Sequence, residues 1–115
     1  VSGAYYVENH STEKNYGDRA DAAQIMINTL NEGGKIHARF SETDDFGHSV
    51  KIDGYHTDDN GKLFFEVKDP GKGGYNMYDP EERKLCYMDK KTKELVYDKR
   101  RSLIRFQTAK LKKNK

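Results

Sequence analysis

A chain of 115 residues, 34% hydrophobic and 35% charged, makes one domain with a modest core and offers nowhere the roughly 20 apolar residues of a membrane-spanning helix. Its single cysteine, Cys86, excludes a disulfide-held scaffold and is too little thiolate for a structural zinc site. Net charge is +2, yet eight of the 21 basic residues and none of the 19 acidic ones fall in Lys99–Lys115, which leaves the other 98 residues at −6.

An acidic body with a basic end can meet phosphates or acidic protein through that end. The expected division is a single catalytic-type domain over residues 1–107 and a basic tail over 108–115. The chain opens at Val1 without methionine and carries no signal-peptide pattern, so a piece of a longer polypeptide or a processed product is expected.

Val1 to Gly17 has no clean period. Ser2-Gly3-Ala4 is small and flexible, Tyr5-Tyr6-Val7 could bury, and Glu8 to Tyr16 reads as loop. Asp18 is an N-cap candidate, with Asp21 in the first turn to complement the helix dipole. Ala20, Ala23, Ile27 and Leu30, joined by Ile25 and Met26, form the stripe of an amphipathic helix over about 18–31, which Gly33-Gly34 stops. Lys35 to Ser41 alternates, with Ile36, Ala38 and Phe40 inward and Lys35, His37 and Arg39 outward, as a half-buried strand does.

Glu42 to Phe46 is an acidic loop. Gly47 to Tyr55 and Lys62 to Pro70 then read as two strands of a hairpin, with Asp58-Asp59-Asn60-Gly61 as a tight-turn signal between them. Folding about Asn60-Gly61 makes paired numbers sum to 119 or 120, so Asp69 lies opposite Val50 or Lys51. Pro70 to Gly74 is loop, Tyr75 to Tyr78 a short strand, and Asp79-Pro80-Glu81-Glu82 a turn. Lys84 to Met88 and Glu94 to Tyr97 flank a second hairpin. Ser102 to Phe106 is a last strand or a short helix, and the chain beyond Gln107 is expected to fray. The fold class this predicts is α+β, an N-terminal helix packed on an antiparallel sheet of about five strands.

The chemistry concentrates in the first hairpin. In either register Asp69 is within one diagonal step of His48, roughly 7–8 Å between backbones, which imidazole and carboxylate side chains can span. An aspartate that orients a histidine fixes its tautomer and stabilises its imidazolium, as a general base requires. Gly47 before the histidine leaves room for a neighbouring group.

The run Gly47-His48-Ser49-Val50-Lys51-Ile52-Asp53-Gly54-Tyr55, the Asn60-Gly61 turn and then Phe65-Glu66-Val67-Lys68-Asp69-Pro70-Gly71-Lys72-Gly73-Gly74 resemble the second half of a papain-like cysteine peptidase. The nearest form is that of bacteriocin-exporter leader peptidases and papain-fold bacterial toxin domains. The resemblance covers about residues 20–75. It implies a papain-like fold, with His48 as catalytic histidine, Asp69 as its orienting acid, and a nucleophilic cysteine upstream at the start of a helix. No cysteine precedes His48. Three arrangements fit: a nucleophile replaced in this chain, with Ala4 as the candidate position; a nucleophile on a segment outside the chain; or a domain that binds without cleaving.

Cys86, in the middle of Leu85-Cys86-Tyr87, has the setting of a small buried hydrophobe. His10, His37, His48 and His56 lack metal-ligand spacing, and Gly71-Lys72-Gly73-Gly74 lacks the helix and Ser/Thr of a phosphate-binding loop, so neither metal nor cofactor is implied. The expected activity is cleavage or deamidation of an amide in a target protein, by a toxin or effector domain of a larger secreted bacterial polypeptide delivered into a target cell. A dedicated inhibitor (immunity) protein is the expected partner. A rival reading is a small ribonuclease toxin that uses His37, His48, Tyr78 and Tyr97 with the basic tail on RNA, where no thiol is needed.

Overall fold

The structure, a computed structural model, describes residues 5–12, 18–41, 47–69 and 74–111. In chain order its elements are β1 (Tyr5–Ser11), α1 (Asp18–Asn31), β2 (Lys35–Ser41), β3 (Gly47–Thr57), β4 (Leu63–Lys68), β5 (Met77–Asp79), β6 (Lys84–Met88), β7 (Leu95–Tyr97) and β8 (Ser102–Leu111).

Helix α1 spans the predicted residues, and its end is a Schellman motif. Gly34 N–H donates to the Thr29 carbonyl at 2.8 Å and Gly33 N–H to that of Leu30 at 3.0 Å. Gly33 sits at φ +77°, in the left-handed region that only glycine enters without strain. The Asp18 side chain lies outside the described residues. The buried line of the helix is Ala22, Met26 and Thr29, while Ala20 is exposed, so the face is turned from the predicted stripe. With Ala, Ile, Met and Leu over most of its circumference, α1 has no single apolar face. Packing against the sheet chooses which side is covered.

Strand β2 alternates as predicted, with Ile36, Ala38 and Phe40 almost wholly buried. The β3–β4 pair carries both predicted registers. Tyr55 faces Phe65 and Gly54 faces Glu66, a sum of 120, whereas Ile52 faces Val67 and Lys51 faces Lys68, a sum of 119. Asp53 is the extra residue between them, a β-bulge. Asp58 closes the connecting loop, its carboxylate accepting from the N–H groups of Asn60 and Lys62 at 2.9 Å each.

The expected five-strand sheet is incorrect. Among the described residues all strands belong to one antiparallel sheet of eight, in the order β1-β8-β2-β3-β4-β5-β6-β7. Among the described residues the class is mostly β, with a single helix. Tyr5 to Ser11, expected as part apolar segment and part loop, pairs over its full length with β8, from Tyr5 opposite Leu111 to Ser11 opposite Arg105. It is an edge strand with Tyr6 to Asn9 exposed, so it shows no alternation, and its partner lies about a hundred residues away. The final strand runs through Leu111, so Thr108 to Leu111, expected to fray, are inside the sheet. Residues 112–115 lie outside the described part.

Phe40, Val50, Ile52, Phe65, Tyr78, Leu85, Leu103 and Phe106 build the core beneath α1. The sheet curls enough for the turn after β5 to meet the start of β8. Arg83 N–H₂ donates to the carbonyls of Thr12 (3.0 Å) and Leu103, and Leu103 N–H returns a bond to the Arg83 carbonyl.

Two substitutions test this account. Gly33→Ala should lower unfolding free energy by about 1–2 kcal/mol through its left-handed φ. Phe40→Ala should cost about 3–5 kcal/mol by leaving a cavity. Urea titration followed by circular dichroism measures both.

Candidate active site

His48 and Asp69 meet. His48 Nε2 lies 2.7 Å from Asp69 Oδ2, with the carboxylate side chain 5% exposed and the imidazole 22%. The bulge is what permits it. If β3 and β4 kept the register of their turn end, Asp69 would stand opposite Lys51, on the sheet face away from α1. The extra residue at Asp53 moves it level with Val50, on the face that His48 shares with Val50 and Ile52. A carboxylate accepts only, so the bond requires Nε2–H as donor and leaves Nδ1 as the basic nitrogen.

Helix α1 runs toward this site. Asn31, at its C-terminal end, accepts a hydrogen bond from Tyr55 O–H at 2.7 Å. Its N-terminal residues Ala20, Ala22 and Ala23 share a small cavity with Tyr78, whose ring meets Phe40 edge-on at 5.3 Å, and Phe40 stands opposite His48. The N-terminus of α1 and the His48–Asp69 pair are therefore at the same end of the sheet. Ala4 lies outside the described residues, and the strand it leads into starts at the other end, where Tyr5 faces Leu111. Cys86 is fully buried, and burial together with the nearby Asp79 charge pushes its thiol up to about 12. That is no nucleophile.

The side chains of the ribonuclease reading do not converge on His48. His37 is on the opposite face of the sheet, since it pairs with Lys51 while His48 pairs with Phe40. Tyr78 is in the core, 1% exposed, and burial raises its phenol. Tyr97 donates its O–H to Asp79 at 2.6 Å. Lys72 lies outside the described residues. Among the described residues no three His, Cys, Asp or Glu side chains form a metal-binding group, and no helix is long and apolar enough to cross a membrane.

The tyrosine's partner is a second cluster that the sequence did not disclose. Asp79, expected only as part of a turn, is fully buried. It accepts from Tyr97 O–H, from Lys62 Nζ at 2.9 Å and from Glu81 N–H at 3.0 Å, while Glu81 adds a second carboxylate to Lys62 at 3.0 Å. Burial alone would raise the Asp79 carboxyl, but the bonds from Tyr97, Lys62 and the Glu82 N–H outweigh it and hold the carboxyl below its ordinary value. This is a clamp joining the β3–β4 loop to β5 and β7.

The face away from α1 carries the other unforeseen group. Arg39 stands directly opposite Arg105 and Lys51 opposite Lys68, with His37 between the two pairs. The Arg39 guanidinium lies over Gly47 so closely that a Cβ there would overlap it. The room left by Gly47 is thus taken by Arg39. Alternation marked Arg39 and His37 as outward, but the pairing with β8 that completes the group was not readable. Compared with known proteins, the chain matches no family model and no curated sequence.

Neutral His48 should carry its proton on Nε2, detected as the long-range coupling pattern of its ring nitrogens by NMR, and Asp69→Asn should mix the tautomers. Asp79→Asn should cost about 3 kcal/mol at pH 7, as removal of one partner from a buried ion pair does. Because the folded carboxyl is held below its unfolded value, this stabilisation is present above about pH 4 and is lost as pH falls through the folded value. Denaturation at neutral and acid pH should show the two proteins converging in acid.

Proposed function

We propose that His48 and Asp69 are the base and its orienter in a toxin or effector domain that attacks amide bonds by thiol chemistry, cleaving a peptide or deamidating a glutamine. The observation that carries this reading is the 2.7 Å bond to a nearly buried carboxylate, which holds the imidazole with Nδ1 as its proton acceptor. Resemblance of the flanking Gly-His and Asp-Pro segments to those of papain-like cysteine peptidases supports it, as does the N-terminus of α1 at the same end of the sheet.

In this mechanism Nδ1 takes the thiol proton and the thiolate adds to the amide carbon. The tetrahedral intermediate collapses as the imidazolium returns that proton to the leaving amine, or to ammonia when the amide is a glutamine side chain. Water then hydrolyses the thioester with the same nitrogen as base. A thiol at the start of a helix is acidified by the helix dipole, so the N-terminal side of α1 is where a nucleophile would serve. The domain acts inside a target cell, as part of a larger secreted polypeptide, and a dedicated inhibitor protein restrains it.

Incubation of a cell proteome with the chain as it stands, and with Ala4→Cys and Asp18→Cys, followed by mass spectrometry, tests this. At least one of the three should produce new peptide termini or glutamine-to-glutamate conversions, reduced about 10²–10⁴-fold by His48→Ala. Products unchanged by His48→Ala, or no products from any of the three, overturn the reading.

A further inference from the structure

The two edges of the sheet are finished differently. β7 is three residues long, each half-buried, and its Tyr97 hydroxyl is tied to Asp79. So short an edge offers little for another strand to pair with. β1 runs for seven residues without a break in its register against β8. It holds no lysine, proline or bulge, the devices that blunt an edge. Among the described residues no strand lies beyond it, and its Tyr6 and Val7 are the most exposed large hydrophobic side chains, at 55% and 53%.

Thr12 N–H donates to the Ile104 carbonyl at 2.9 Å, in the register that pairs β1 with β8. Along an antiparallel ladder every second residue turns both its N–H and its C=O to the same neighbour. Even-numbered residues of β1 therefore bond β8, and the backbone groups of Val7 and Asn9 point out from the edge.

We propose that β1 pairs antiparallel with β1 of a second copy of this chain, about a two-fold axis at Val7, joining two sheets of eight strands into one. Outward groups must meet outward groups. With at least five of the seven residues paired, that leaves axes at Val7, Glu8 or Asn9. An axis at Glu8 sets this carboxylate directly opposite its copy, a destabilising like-charge pair. An axis at Asn9 sets Val7 opposite Ser11 and Tyr6 opposite Thr12, which is buried. An axis at Val7 sets Val7 against Val7 and Tyr6 against Glu8, so exposed apolar surface is covered and a phenol donor meets a carboxylate acceptor. Glu8 is the one formal charge of β1, so the strand has no charge pattern that would select a foreign partner. A two-fold contact satisfies that charge twice, once in each copy. One strand pair is a small interface, and the association is reversible rather than obligate. It is independent of the chemistry at His48.

Sedimentation velocity of the chain from micromolar to millimolar concentration should show a reversible monomer–dimer equilibrium. Val7→Pro removes only an outward N–H, so β1 stays in its sheet. The bond lost on each side of the axis should weaken the dimer about tenfold or more. Val7→Lys should do the same by setting like charges face to face, and circular dichroism should show both variants folded. Cys86 is buried, so Val7→Cys adds the one accessible thiol, and it should form an intermolecular disulfide on oxidation faster than Asn9→Cys does. A chain that stays monomeric throughout, including one whose β1 pairs only with a strand of another protein, overturns the proposal. So does a dimer unmoved by Val7→Pro and Val7→Lys, or faster crosslinking through Asn9→Cys.

Discussion

Strand β3 meets β4 in two registers, and the residue between them, Asp53, decides which side chains can meet at the far end of the hairpin. Side chains alternate between faces with a period of two, so one inserted residue exchanges the faces of everything beyond it on that strand. Here the exchange brings Val67 and then Asp69 to the side of Ile52, Val50 and His48, and it sends Lys68 to the side of Lys51. The hydrogen-bonded pair on one face and the cationic pair on the other are two consequences of the same bulge.

Strand β8 does for the other half of the sheet what the bulge does for the hairpin. By entering between β1 and β2 it ties the two ends of the described chain together and completes the core with Leu103 and Phe106. Its own irregularity falls at Arg39/Phe40, where the pairing passes from Arg39–Arg105 to Phe40–Leu103. Ile104 is left over. The two faces of the sheet again divide at a break in register, with Leu103 and Phe106 turned to α1 and Arg105 turned away.

The buried carboxylate at Asp79 shows how a mostly-β chain low in aliphatic residues completes its packing. Lys62, Tyr97 and the turn N–H groups converge on it, and Phe64, with the Lys62 ammonium 5.3 Å from its ring centre, is 3% exposed beside them. A fully hydrogen-bonded charge fixes the geometry of the β4–β7 half more narrowly than apolar contact would.

What the residues by themselves determined was local. Gly33 could only end a helix, Ile36, Ala38 and Phe40 could only share a face, and the hairpin around Asn60-Gly61 confined Asp69 to two places, one of them on the face of His48. Each follows from a backbone preference or a period spanning a few residues. Tertiary structure decided the rest. The choice between the two places needed the bulge, which has no signature stronger than a glycine after Asp53. The first strand and the full length of the last one needed each other, across about a hundred residues, and the first, at the exposed edge, does not alternate. The face of α1, the burial of Asp79 and the opposition of Arg39 to Arg105 depend on which surfaces the curled sheet brings together. Pairing energy between segments far apart in the chain is a property of the assembled sheet, and no local pattern carries it.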